Sequence, residues 1–195
     1  MPNWVMHHAE FYGKEDKIRE IAQAIDDHGG FLSHIIPLPP EATETIIIND
    51  GTPLGVFAEG GYEMALDLWG SKWGDCDTRY EMTDLPGGNA CLSAKFNSAW
   101  GPIDVGLQRL CARLNVAVTD FYWEEQPEFV GWFVAVGAEW SDRGLVYDWG
   151  VDLADDNRLR DDDNALDEFL DKAEQAAQEK IMEKDRLLRF LEMQS

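Results

Sequence analysis

Basic side chains are scarce in this chain of 195 residues. Sixteen lysines and arginines stand against thirty-eight aspartates and glutamates, which gives a formal net charge of −22 at pH 7. Binding to a phosphate backbone depends on neutralisation by lysine and arginine, so the scarcity disfavours direct contact with nucleic acid. The acidic excess favours encounter with a protein that has a basic surface, although it is also a common source of solubility.

The chain also has few cysteines and no long apolar run. Cys76, Cys91 and Cys111 are odd in number and lack CxxC spacing, so neither a disulfide framework nor a zinc cluster is predicted. No stretch of about eighteen apolar residues occurs, and MPNWVMHHAEFYGKEDK has no basic-then-apolar leader. We therefore expect a cytoplasmic, unexported protein with no membrane contact, no metal and no cofactor.

The hydrophobic periodicity alternates between strand and helix. Strands or extended segments are predicted for WVMHHAEFYG (4–13), FLSHIIPLPP (31–40), TIIIND (45–50) and residues 90–100, 116–123, 129–140 and 144–149, and helices for residues 14–28 and 102–114. The order is βαβ, an insertion around residues 41–89, then βαβ and a β-hairpin. This order predicts an α+β protein with a ferredoxin-like split βαβ sheet and two helices on one face.

The composition changes after Gly150, so we expect a domain over residues 1–150 and an acidic linker with a helix over residues 151–195. The helix is predicted from Asn164 to about Met193, with an apolar stripe at helical spacing. Three alternatives for this stripe stay open: packing on the sheet, pairing with a second copy as a homodimer, or docking of another partner.

The segment WGSKWGDCD (69–77) carries two tryptophans four residues apart. In a helix, Trp69 and Trp73 would lie on one face, and indoles bury a large apolar area. We therefore predict that both are structural, and we add Trp100 and Tyr122 to this structural set. The alternative is a cation-binding cage completed by Trp100 and Tyr80.

Other candidate chemistry is weaker. His7, His8 and His34 could meet on adjacent strands, but neighbours on a strand point to opposite faces, so His7 and His8 cannot share a metal. An acidic loop is predicted after Tyr122 and Trp123, and paired carboxylates can hold a cation or act as acid and base. The loop contains Glu124, Glu125 and Glu128.

Five short motifs occur in order: MPNW (1–4), IPLP (36–39), WGSKW (69–73), FNSAWGP (96–102) and YWEEQPEFVG (122–131). Together they resemble the YubB-type family of phage and mobile-element proteins with a ferredoxin-like domain, over roughly residues 1–140. Val5 and His7 stand where that family tends to have Cys and Asn, and Gly101 replaces a Ser. The resemblance implies a ferredoxin-like fold and an origin in phages, plasmids or integrated elements, with no established activity.

The function expected from these features is that of a non-enzymatic acidic binding protein that inhibits a host nucleic-acid-acting defence complex, of anti-CRISPR or anti-restriction type, by imitating nucleic acid. Its partner would be a protein with a basic surface, such as a nuclease. The candidate partner-binding residues are Asp155, Asp156, Asp161, Asp162, Asp163, Glu124, Glu125 and Glu128. The alternatives are a small carboxylate- or metal-dependent enzyme and an accessory protein for element maintenance.

Overall fold

The structure is a computed structural model that describes residues 3–48, 52–124, 129–148 and 163–182, with residues 187, 189, 190 and 192. Its strands are β1 (Trp4–Lys14), β2 (Thr43–Ile47), β3 (Pro53–Phe57), β4 (Cys76–Leu85), β5 (Asn89–Ala99), β6 (Ala117–Glu124), β7 (Phe129–Val136) and β8 (Trp140–Asp148). Its helices are α1 (Glu15–His28), α2 (Leu32–Ile35), α3 (Gly61–Trp69), α4 (Asp104–Leu114) and α5 (Asp163–Met182), with a 3-10 turn at Pro40–Ala42.

The protein has a mixed α+β architecture built on a six-stranded sheet. The strand order is β4-β5-β1-β6-β7-β8, and every neighbouring pair is antiparallel. β2 and β3 form a separate two-stranded antiparallel hairpin. The antiparallel sheet and the C-terminal helix agree with the α+β class that the sequence predicts.

The main core lies between one face of the sheet and the helices α1 and α4. Alternate residues of β1, including Val5, Ala9 and Phe11, are buried on this face, as period-two strand geometry requires. The apolar face of α1 packs on them through Ile18 and Ile21. The two helices expected on one face of an antiparallel sheet are therefore present.

The opposite face of the sheet is covered by α5 over β6, β7 and β8. Ala173 and Ala177 of α5 are buried in a second apolar cluster with Phe121 and Trp132 of the sheet. The described part of the C-terminal stripe thus packs on its own domain, which was one of the three alternatives. Pairing of copies through this helix stays a prediction. No helix among the residues that the structure describes is long and apolar enough to cross a membrane.

Three sequence assignments need correction. FLSHIIPLPP is not a strand, because Leu32–Ile35 forms the short helix α2. Asp75, which is distant in sequence, holds the start of this helix. Its carboxylate accepts hydrogen bonds from the backbone N–H groups of Phe31 (2.9 Å) and Leu32 (2.8 Å). The second predicted helix begins at Asp104 rather than Pro102. The segment 129–140 is one strand only as far as Val136, and Trp140 begins the next.

Candidate functional site

The predicted acidic site falls largely outside the described residues. Asp155, Asp156, Asp161, Asp162, Glu125 and Glu128 all lie outside them. Asp163 is the first residue of α5. Glu124 does not lie in a loop, because β6 extends through it and buries its side chain. Its Oε1 accepts a hydrogen bond from Asn3 Nδ2 at 2.8 Å.

A different acidic surface is described on α3. Glu63 and Asp67 are exposed and one helical turn apart. Glu59 precedes the helix and is also exposed. No lysine or arginine occurs between Glu20 and Ser71. The sequence reasoning missed this surface, although the four-residue spacing of Glu59, Glu63 and Asp67 is a signal that could have found it.

The two tryptophans of WGSKW have different environments. Trp69 is only 5% exposed and donates its indole N–H to the carbonyl oxygen of Ile36 at 2.7 Å. Gly70 then adopts the left-handed conformation, with φ of 84°, and ends α3. Trp73 therefore does not share a helix face with Trp69, and it is 39% exposed. The structural prediction fits the core position of Trp69, whereas Trp73 lies at the surface.

Trp73 belongs to a surface cluster of three indoles. Its ring centroid lies 6.1 Å from that of Trp4 and 6.5 Å from that of Trp100. Lys72 Nζ already lies 4.5 Å from the Trp73 ring centroid, so the chain supplies its own cation to this face. Tyr80 is not part of the cluster, because its hydroxyl group bonds to the Asp26 carboxylate. The cage that includes Tyr80 is therefore not formed.

A polar network lies in the main core at His7. The Nδ1 atom of His7 is 2.7 Å from Asp120 Oδ2, and its Nε2 atom is 2.8 Å from Ser98 Oγ. This connectivity is that of a serine–histidine–aspartate triad. All three side chains are buried, and Ser98 donates its hydroxyl proton to the carbonyl oxygen of Gly101 at 2.7 Å. Substrate cannot reach Ser98 in this arrangement, so the network is structural.

Asp104, at the start of α4, adds a second carboxylate to this region. Burial, with a smaller contribution from the charge of Asp120, raises the pKa of the Asp104 carboxyl from 3.8 to about 6. Arg143 Nη1, 3.4 Å from Asp104 Oδ2, opposes this shift. Oδ1 of Asp104 and Oδ1 of Asp120 are buried without a hydrogen-bond partner. The charged form of the Asp104 carboxyl is therefore costly in the folded protein.

The other two predicted histidines, His8 and His34, have separate contacts. His8 points to the opposite face of the sheet from His7 and lies 2.9 Å from Glu174 Oε1 on α5, as strand geometry predicts. His34 is exposed on α2 and stacks on His28 with ring centroids 4.3 Å apart. Within the described ranges, no group of three histidine, cysteine or acidic side chains is placed to hold a metal ion.

The cysteines show no sign of activation. Burial raises the pKa of Cys76 and of Cys91 to about 11, and it also raises the pKa of Cys111. A nucleophilic cysteine needs the thiolate at neutral pH, and these environments disfavour the thiolate. Tyr122, predicted as structural, is buried, and burial raises the pKa of its hydroxyl group.

Comparison with known proteins identifies no family for this chain. No family model matches the chain, and no curated protein matches it. A crystal structure of a protein api92 from Yersinia pseudotuberculosis, which carries the family model DUF1281, is similar with a TM-score of 0.44 and 10% sequence identity. The similarity covers 74% of this chain and 98% of that one. A likeness this weak carries no conclusion about function.

Proposed function

We propose that the protein is a non-enzymatic acidic binding protein of a phage or mobile element, which occupies a basic surface of a host nucleic-acid-acting defence complex. The observation that carries the proposal is the net charge of −22 together with the exposed acidic residues Glu59, Glu63 and Asp67, which lie in a part of the chain without lysine or arginine. A field of this sign speeds encounter with basic grooves that otherwise hold nucleic acid.

The fold bears on the proposed origin of the protein rather than on its binding role. We propose that β1, α1, β4, β5, α4 and β6 form the ferredoxin-like split βαβ unit of a YubB-type protein. Their order in the sheet, β4-β5-β1-β6 with antiparallel neighbours, supports this assignment. β4 is the second strand of this unit, for which the sequence predicts residues 31–40 instead. The proposed membership of the YubB-type family is supported by the five sequence motifs.

The burial of Ser98 supports a non-enzymatic role, since it leaves the triad-like network without access for substrate. The described acidic surface supports binding. Glu63 and Asp67 are like charges one turn apart, an arrangement that costs an isolated helix about 0.2–0.5 kcal/mol. A binding role accounts for a pair that local helix stability disfavours. The acidic segment from Asp155 to Asp163 stays a prediction of the same kind.

The test compares two variants of equal net charge. Glu63→Gln with Asp67→Asn neutralises the acidic pair and changes the net charge from −22 to −20. Gln108→Lys with Ala112→Lys gives the same −20 by placing two lysines on the exposed side of α4. Each form is expressed in cells whose restriction or CRISPR system targets an infecting phage, and the efficiency of plating is measured.

We expect the wild type and the α4 variant to raise the efficiency of plating about tenfold or more, because their acidic pair is intact. The α3 variant should lose most of this gain, while its thermal stability stays unchanged or rises. A wild type without effect in every restriction and CRISPR strain would refute inhibition of these systems. Equal loss in both variants would show that net charge, rather than this surface, matters.

A further inference from the structure

The hairpin formed by β2 and β3 has no core of its own. Every residue of β2 is exposed, and Ile47 is 67% exposed. Ile46, Ile48 and Leu54 are exposed as well. A two-stranded hairpin is marginally stable in water by itself, and exposed isoleucines add a cost. Among the described residues β2 pairs only with β3, so its outer edge is open.

The edge strands of the main sheet are protected in a way that β2 is not. β4 carries Asp77, Arg79, Glu81 and Asp84, and β8 carries Asp142 and Arg143. β3 contains Pro53, which has no N–H to donate. Charges and proline are the usual means by which proteins prevent edge pairing. β2, with the sequence TETII, has only Glu44.

We propose that the open edge of β2 pairs with β2 of a second copy, so that two hairpins join into one four-stranded antiparallel sheet with two-fold symmetry. An antiparallel pair of identical strands is self-complementary, as a two-fold dimer requires. The pairing would satisfy the outward backbone groups of β2 and place Ile46 and Ile47 beside side chains of the second copy.

The hydrogen bonds of the hairpin define the outward groups. Ile48 donates its N–H to the carbonyl oxygen of Thr52 at 3.0 Å, so it faces β3. Since hydrogen-bonded positions alternate along an antiparallel strand, the backbone groups of Thr45 and Ile47 face outward. A two-fold axis at Ile46 then places Thr45 of each copy opposite Ile47 of the other, and Ile46 opposite its own counterpart.

The near absence of charge on the hairpin suits a second copy better than it suits the basic partner of the proposed function. A basic partner is attracted by acidic residues, and β2 with β3 contains one charged residue, Glu44. Two copies of net charge −22 repel each other, so they associate best through a neutral apolar surface. Higher salt screens the repulsion and should strengthen dimerisation, whereas it should weaken binding to a basic partner.

Size exclusion with light scattering tests the dimer directly. The wild type should have twice the chain mass of 22.1 kDa at micromolar concentration. Thr45→Pro removes one outward N–H without removing a bond between β2 and β3, and Ile47→Lys adds a charge to the edge. Both should weaken association about tenfold or more. Leu145→Lys alters a residue that is 56% exposed on β8 and should stay dimeric.

A monomeric wild type, or dimers that persist in both hairpin variants, would overturn the proposal. If these variants prove unfolded by circular dichroism, cysteine cross-linking decides. Opposed residues of a non-hydrogen-bonded pair have Cα atoms about 4.5 Å apart, which suits a disulfide. Ile46→Cys should therefore give a covalent dimer on oxidation, and the control Leu145→Cys should not. No cross-link at position 46, or equal cross-linking at both positions, would contradict the pairing.

Discussion

Replacing Asp104 by asparagine should change how the stability of the protein depends on pH. The carboxyl is buried at the start of α4, its Oδ1 has no partner, and Asp120 lies nearby. Asparagine keeps the shape of the side chain and removes the titrating proton. The change therefore isolates the cost of holding this charge inside the protein.

The magnitude follows from the pKa of Asp104, which rises from 3.8 to about 6 on folding. Because the folded state holds the proton more tightly, the free energy of unfolding falls as the pH rises from about 4 to about 6. A shift of about two units corresponds to about 3 kcal/mol, fully present above pH 6. Asp104→Asn should remove this fall, at the expense of a weak pair with Arg143, whose side chain is largely exposed.

Urea denaturation of both proteins at pH values from 4 to 8 provides the measurement. The difference in free energy of unfolding, variant minus wild type, should increase by about 2–3 kcal/mol between pH 4 and pH 7. Thermal midpoints should follow by roughly 2–4 °C for each kcal/mol. Gln108→Asn, on the exposed side of α4, is the matched control and should give a flat difference, because neither side chain titrates. Parallel curves for Asp104→Asn and the wild type would refute the reasoning.

Two further predictions concern packing and capping. Trp69→Ala should lower the free energy of unfolding by about 3–5 kcal/mol, whereas Trp73→Ala should lower it by about 1 kcal/mol or less. Equal losses of unfolding free energy in urea denaturation would contradict the different burial of the two side chains. Asp75→Ala should cost about 3 kcal/mol, because the buried N–H groups of Phe31 and Leu32 lose their acceptor. Thr78→Val, which removes only the hydroxyl donor to Asp75, should cost less, and the reverse order would argue against this cap.

The elements that the sequence predicts well are those with a complete local pattern. Ile18, Ile21, Ala22 and Ile25 recur at helical spacing in α1, and all are buried. By contrast, α2 is only four residues long, and the group that holds its start is Asp75, more than forty positions away. β4 is absent from the sequence prediction, although Cys76, Tyr80 and Met82 alternate with charged residues at the period of a strand, so this signal was present and was missed.

In the candidate site, too, only the features that follow from a local pattern could be predicted. Opposite orientations of His7 and His8 could be predicted from strand geometry alone. The contacts of His7 with Ser98 and Asp120 depend on the register of β1 with β5 and β6, which no local pattern contains. The surface position of Trp73 depends on the left-handed turn at Gly70, whose effect on the following residues could not be predicted from spacing.

The position of α5 on the second face of the sheet has a consequence for synthesis on the ribosome. Because the chain is made from its N-terminal end, all strands from β1 to β8 emerge before α5 does. During that interval Phe121, Trp132 and Val134 have no helix over them, while α1 and α4 can already close the first core. The nascent protein therefore passes through a stage with one finished and one uncovered apolar face, the stage at which binding by a chaperone is most useful.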